Sequence, residues 1–324
     1  MQSGKAKGKE KREEPGAKSA TRENGIHLPI LRILRFLIQL LSFVLLYAGL
    51  FQLTSFAFPI PVVPVLSSSG APGATAISAL DALEHGLSAV IPLLLGVAVA
   101  VFLLSAVLVG RGFCAFVCPF GFAQDLVSFI RRPFHMKETT FSVKTTKSIT
   151  SFKYYIVAVL LLLVGIAGIT TLIAGRAYAL RMLGIFSDVP FSTLSPADTL
   201  FATLPELAIL GGPWVMGWGA ILWSRVIILV ISLGAALFIP RAFCRYICPI
   251  AGLMAPLNRY TVIGLERNPV KCIGEKCRIC ERACPMDVPI FSGPDKRFTK
   301  HPECIMCLVC KDVCHNKAIR FAVA

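Results

Sequence analysis

Charge is the first scarcity. Only 16% of the 324 residues are Asp, Glu, Lys or Arg, 55% are hydrophobic, and the mean hydropathy is +0.71. That is too apolar for an ordinary water-soluble domain and puts the chain in the membrane class. Acids are scarcer than bases, 18 against 33, for a net charge of +15. Such an excess can mark a nucleic-acid partner, but its distribution argues otherwise. Thirty of the 33 cations fall in three blocks: up to Arg35, from 111 to 153, and from 241 onward. Histidine is rare, and His27, His85, His135, His301 and His315 all fall outside the apolar runs, which argues against haem b inside a helix bundle. No Gly-x-Gly-x-x-Gly occurs, which removes the usual flavin or nicotinamide fingerprint.

Four stretches, uncharged except for Arg225, reach the roughly 20 residues that a helix needs to cross a bilayer. They lie near 36–57, 88–110, 154–175 and 219–240. Four crossings put both termini on one side, and the three basic blocks place that side in the cytoplasm. Residues 1–30 read as a disordered basic tail before a signal anchor. Residues 31–262 read as a four-helix membrane domain, an α-helical multi-pass unit of the inner membrane. Arg32 and Arg35 are expected at the inner headgroups. In the outer loops, "SALDALEHGL" is expected to begin a helix that runs into span two. "SPADTLFATLPELAIL" reads as a helix in the outer interface, with Ser195 as N-cap, Pro196 first, Asp198 in the first turn and Pro205 bending or ending it. Trp214, Trp218 and Trp223 fit an aromatic belt. Arg225 reads as a snorkelling cation in preference to one facing a quinone carbonyl.

Cysteine is absent from both outer segments, which disfavours disulfides, and its cytoplasmic distribution is informative. Eight of the twelve cysteines fall within residues 272–314. They form Cys272-x4-Cys277-x2-Cys280-x3-Cys284-Pro and Cys304-x2-Cys307-x2-Cys310-x3-Cys314. The second run has the full spacing of a bacterial two-cluster ferredoxin, in which the fourth cysteine serves the other cluster. The expected [4Fe-4S] sets are Cys272, Cys277, Cys280 and Cys314, and Cys304, Cys307, Cys310 and Cys284. Residues 263–324 are therefore expected to form a small α+β ferredoxin domain. The x4 gap, with Gly274 in it, and His315 in place of proline depart from the usual pattern without removing a ligand. Zinc sites use separated Cys pairs and fit this spacing less well.

The other four cysteines form a phrase that occurs twice, "GRGFCAFVCPFG" and "PRAFCRYICPIAG". At an offset of 130, Arg111 aligns with Arg241, Phe113 with Phe243, Cys114 with Cys244, Phe116 with Tyr246, Cys118 with Cys248 and Pro119 with Pro249. Each copy ends an inward-running span, so the unit is a duplicated helical hairpin. Residues at i and i+4 share a helix face, so each phrase is expected to present two sulfurs side by side, with the proline ending or kinking the segment. Together they supply four thiolates, enough for a third cluster. Redox dithiols, another metal and juxtamembrane lipidation stay open as alternatives; the reducing, basic neighbourhood favours the shared cluster.

This combination resembles the NapH/MauN group of membrane polyferredoxins over about residues 30–320, with "GRGFCAFVCPFGFAQDL" and "RAFCRYICPIAG" similar to that group's two signatures. NosR and CcoG carry related architectures. The resemblance implies a subunit, not a stand-alone enzyme, that passes electrons between the quinone pool and iron–sulfur or haem partners of a respiratory system. The alternative is an assembly or regulatory protein of the NosR/CcoG kind. No added domain is expected on either side of the membrane, which favours the subunit. A quinone site is expected at the cytoplasmic neck around Arg111, Arg241 and Arg245, residues equally explained as inner-leaflet anchors. Nucleic acid is not an expected partner.

Overall fold

The computed structural model describes residues 30–47, 62–65, 77–131, 143–184, 191, 194–205, 207, 219–273, 277–291 and 296–323. The expected disordered tail (apart from Ile30), Trp214, Trp218, His27 and His135 lie outside them. Most of the described chain is helical. Four longer helices stand where apolar runs were found: α1 (Ile30–Leu46), α3 (Pro92–Leu108), α6 (Val143–Ala174) and, near the end, Gly219–Phe238. Among the described residues, only Ser148–Ala174 is long and apolar enough to cross a membrane. Pro92–Leu108 and Leu222–Phe238 are apolar but shorter, about 25 Å at 1.5 Å per residue.

These helices are patterned inside out. On α3, Leu93, Leu103 and Leu104 are exposed while Ala98, Ser105 and Ala106 are buried. On α6, Leu162, Ile169 and Ile173 face outward and Ala167 inward; on Gly219–Phe238, Val230 and Ile231 are outside and Ser232 and Ala236 inside. Small residues let helix backbones approach closely, and the aliphatic side chains form an outer band that water would penalise.

The segment "SALDALEHGL" does not run into the next helix. It forms α2 (Ala79–Ser88), capped by the Ser78 hydroxyl, which accepts from the Leu80 and Asp81 amides. The chain then reverses at Ala89–Ile91, with Val90 left-handed at φ +55°, and Pro92 starts α3. The two helices pack antiparallel. A side chain at Gly86 would come within 2.9 Å of the Leu95 amide, so glycine permits the contact. Helix α2 is buried, Asp81 and Glu84 included, and the Glu84 carboxylate accepts from the Phe191 amide at 3.3 Å. Two residue pairs upstream, β1 (Val62–Val63) and β2 (Ile77–Ser78), lie parallel, and Val62 and Val63 enter this core.

The second outer segment departs from expectation as well. Pro196 does start a helix, Pro196–Asp198, but it continues as a π turn over Thr199–Thr203, and Ser195 makes no side-chain cap. Pro196, Ala197, Thr199 and Ala202 are buried, and Phe201 stacks near Phe43 and Tyr47 of α1's end. The segment plugs the bundle. Arg225 turns toward it, 3.7 Å from Asp198 and hydrogen-bonded to Thr203, so an ion pair replaces the snorkelling expected there.

The duplication is visible atom by atom. Short helices α4 (Gly112–Phe116) and Ala242–Tyr246 are each followed by a second one, α5 (Pro119–Arg131) and Pro249–Leu257. Val117 and Cys118 both donate to Phe113 O, and Ile247 and Cys248 both donate to Phe243 O. The two cysteines of a phrase therefore do not share one continuous helix. The first sits on the short helix and the second precedes the next. Pro119 and Pro249 open the following helices, the position a proline fits best.

The C-terminal unit pairs β3 (Ile263–Arg267) antiparallel with β4 (Ile319–Val323), from Ile263 opposite Val323 to Arg267 opposite Ile319. Two one-turn helices, Ile279–Arg282 and Val309–Asp312, carry Cys280 and Cys310. Its core holds Leu265, Met286, Val288, Ile290, Phe298 and Ile305, and extends to Cys114 and Ala115 of the first phrase. The ferredoxin-like unit is docked on the doubled phrase.

Candidate iron–sulfur centre

The four phrase cysteines converge. Cys114, Cys118, Cys244 and Cys248 are all buried, and Cys248 lies within electrostatic reach of the other three. N–H groups point at the sulfurs: Gly121 N at Cys118 Sγ (3.4 Å) and the Gln124 amide at Cys244 Sγ (3.1 Å), with the Ala251 amide at Cys248.

Two arginines lace the phrases together. Arg111 donates to Cys244 O (3.3 Å), and Arg241 donates to Cys114 O (2.9 Å). Each arginine thus grips the backbone of the first cysteine in the other copy. Their carboxylate partners differ. Arg241 is held by Asp125 at 2.9 and 2.6 Å, which also meets Arg35 and Gln39. The residue 130 positions after Asp125 is Ala255, so the repeat offers Arg111 no equivalent acid. The C-terminal unit supplies one: Glu303 accepts from Arg111 at 3.0 Å and from Lys153.

Arg111, Arg241 and Arg245 are 0%, 1% and 3% exposed, so none is an inner-leaflet anchor or lines an open quinone site, as the sequence suggested. Arg32 and Arg35 likewise turn inward. Arg32 pairs with Asp312 at 3.3 Å, Arg245 with Asp287 at 2.7 Å, and Arg111 with Glu303, so three basic side chains close on acids of the ferredoxin-like unit. Asn258 rivets the same seam: its amide nitrogen is shared among Thr299 O, His301 O and Cys304 O, and its oxygen accepts from Arg111 N. Gly110, at φ +59°, is needed here because any side chain would collide with that oxygen.

The second ferredoxin set is also assembled. Cys284, Cys304, Cys307 and Cys310 line one pocket with Met286, Ile305 and Phe298. Of the first set, Cys280 senses Cys272 and Cys314 Sγ accepts from Ala318 N at 3.3 Å; residues 274–276 of its loop lie outside the described residues. Among the described residues no three His, Cys, Asp or Glu side chains are grouped to hold a single metal ion. A cubane asks for something wider, because each of its four thiolates binds a different iron. Buried sulfurs, N–H donors aimed at them and flanking guanidinium groups suit such a group.

Burial pushes the Cys244, Cys248, Cys284 and Cys310 thiols up, and that of Cys304 to about 12. Burial would also raise the Asp125 carboxyl, but Arg241 and Arg35 outweigh it and hold it at about 2. Ligation takes the thiolate, so these five thiols give up protons when a cluster loads. Loading therefore strengthens as pH rises, up to about 12 at Cys304. Anaerobic reconstitution in weak buffer is expected to release protons beyond the iron and sulfide blank.

Sequence reasoning located all twelve cysteines but not their clamps. Gln124, Asp125, Lys153, Asn258 and Glu303 were passed over; Gln124 and Asp125 stood inside the quoted signature, and the repeat of Arg111 at Arg241 was the signal that could have found the lacing.

A sequence family described as a 4Fe-4S binding domain matches residues 90–137 and 221–266, one phrase in each match. The chain is 28% identical to an uncharacterized protein of Methanocaldococcus jannaschii over 67% of its own length and 66% of that protein. It is 25% identical to the ferredoxin-type protein NapH of Haemophilus influenzae over 71% of the chain and 68% of NapH. It is 28% identical to the regulatory protein NosR of Stutzerimonas stutzeri over 66% of the chain, but spans only 25% of NosR. No solved structure matches. The resemblance drawn from the two phrases holds: the chain is an iron–sulfur protein of electron-transfer type, related to the NapH-type polyferredoxins and to NosR.

Proposed function

We propose that this relative of the NapH-type proteins is a membrane-anchored electron-transfer subunit, passing electrons between the quinone pool and a partner redox protein. Residues 31–262 form its membrane domain with four crossings, and residues 263–324 its ferredoxin domain, with both termini in the cytoplasm. Supporting the crossings are the outer aliphatic band on α1, α3, α6 and Gly219–Phe238 and the bias of cations to one side. The ligand sets are Cys114, Cys118, Cys244 and Cys248; Cys304, Cys307, Cys310 and Cys284; and Cys272, Cys277, Cys280 and Cys314. Clusters held there supply one-electron transfer. The observation that carries the reading is adjacency: Cys114 and Ala115 belong to the same core as Cys304 and Cys310, and Cys284 packs against it.

The chain's own residues fix that adjacency. Arg111 and Arg241 hold the two phrases together, and Glu303 and Asn258 hold the ferredoxin unit against them. Iron and acid-labile sulfide on anaerobically purified protein should each reach about twelve per chain, with cubane EPR signals on reduction. About eight would leave the doubled phrase without a cluster.

Similarity to NosR supports a second reading, an assembly or regulatory role. Membranes lacking the protein separate the two. Loss of a quinol-linked activity with the partner enzyme intact and metallated supports the subunit; an unmetallated partner supports assembly.

A further inference from the structure

The three cysteine sets form a row, and its far end is the open one. Cys304 and Cys310 share a core with Cys114, and the one-turn helices that carry Cys280 and Cys310 pack against each other. Burial falls along that row. All four phrase cysteines are buried, as are Cys304 and Cys310, whereas Cys272, Cys277, Cys280 and Cys314 are all half-buried. β3 leads the same way. At its start the Val262 amide donates to Val107 O at 2.8 Å, and from its other end Arg267 reaches Cys272 Sγ at 4.0 Å.

The surface around that end is cationic. Lys271, Arg278, Arg282 and Lys317 are exposed, each within three residues of a cysteine of the first set. Asn316 donates to Lys271 O at 3.2 Å, which brings Lys317 beside Lys271, and Arg282 donates to Cys277 O. Among the described residues none of the four cations pairs with a carboxylate. The unit's described acids are engaged elsewhere: Glu266 by Arg320, Glu281 by the Phe291 amide, Asp287 by Arg245, Glu303 by Arg111 and Asp312 by Arg32. Val270 and Ile273, on either side of Lys271 and Cys272, are 91% and 59% exposed.

We infer that this face docks an acidic redox protein, with the first ferredoxin set as the port through which single electrons pass. This rests on the electron-transfer reading and deepens it by naming the partner's face and charge. The exchange moves one electron between two redox centres, and no bond forms or breaks. Unneutralised cations are complemented by carboxylates and turn away a basic surface. Two exposed aliphatic side chains inside a charged rim suit a small, transient interface. An anionic lipid surface shares the charge but brings no redox centre, and β3 leads away from the apolar helices.

The test uses the full chain in phosphatidylcholine nanodiscs, reduced with dithionite and desalted anaerobically. The probe is oxidised bacterial flavodoxin, an acidic one-electron acceptor. Its second-order reduction rate should fall about tenfold as ionic strength rises from about 0.02 to about 0.2 M. Lys271→Glu with Lys317→Glu should slow the reaction about tenfold at low salt. Arg259→Glu with Lys300→Glu makes the same charge change at exposed positions beside the seam, and should leave the rate within about twofold. Propyl viologen sulfonate, small and net neutral, should be reduced equally fast by all three proteins, which reports intact clusters. A flavodoxin rate indifferent to salt, or equal losses in the two paired variants, overturns the inference and leaves the electron-transfer reading standing. So does slowed hydrogen exchange at Ile279–Arg282 in phosphatidylglycerol nanodiscs without flavodoxin, which would give the face to the membrane. Wild-type protein that reduces neither acceptor sinks the electron-transfer reading, and the docking face with it.

Discussion

Replacing Cys244 and Cys248 by serine is expected to lower iron from about twelve to about eight per chain, and replacing Cys114 and Cys118 as well should remove no more. The logic is that of a shared site. Each phrase contributes two buried sulfurs, and the sulfur of Cys248 lies within electrostatic reach of Cys114, Cys118 and Cys244. One phrase alone offers half a ligand set, so its loss empties the whole site. Independent dithiols behave differently: removing either pair would leave the iron count untouched. The ferredoxin sets supply an internal control, since none of their ligands changes. Reduced EPR spectra should lose one component and any spin–spin splitting it causes in its neighbour. An iron count that stays constant in the Cys244/Cys248 variant sinks the shared cluster while leaving both ferredoxin sets standing.

The cysteines were legible because cubane ligation imposes spacing along the chain. Cys304-x2-Cys307-x2-Cys310 can be recognised without coordinates, and so can a phrase repeated at a fixed offset. Arg111 and Arg241 were visible as part of the repeat, yet their partners were not. A guanidinium near a membrane surface satisfies the same local pattern whether it meets a lipid phosphate or a carbonyl 127 residues away. Only tertiary structure decides. The reversal of α2 onto α3 was hidden for a different reason. An apolar run reads the same whether it continues or folds back, and the break depends on Val90, a β-branched residue whose left-handed backbone nothing local foretells. Pro92 was the one hint, since proline favours a helix start over a helix interior. The outer segment misled similarly, because Ser-Pro-Ala-Asp carries a helix-start pattern whether the helix lies in an interface or plugs a bundle.

Glu303→Ala should be the most damaging single change outside the cysteines, costing about 3–5 kcal/mol. Glu303 is the carboxylate between two cations, Arg111 and Lys153, whose side chains are both fully buried. Removing it leaves the Arg111 charge, and Lys153 wherever that keeps its proton, without the acid that both meet among the described residues. An unpaired buried charge is penalised far more than the pair itself ever stabilised. The effect should be local to the docking of the ferredoxin unit: hydrogen exchange at Phe298–Cys304 and along β3 should accelerate, while the apolar helices stay protected. Glu266→Ala is the fitting comparison, because its partner Arg320 is 65% exposed and such surface pairs contribute about 0–1 kcal/mol. A second substitution, Lys153→Met, should recover part of the loss by removing one stranded cation. Recovery without change in the iron count would show that Glu303 acts by neutralising charge at the seam; equal losses for Glu303→Ala and Glu266→Ala would refute the buried triad.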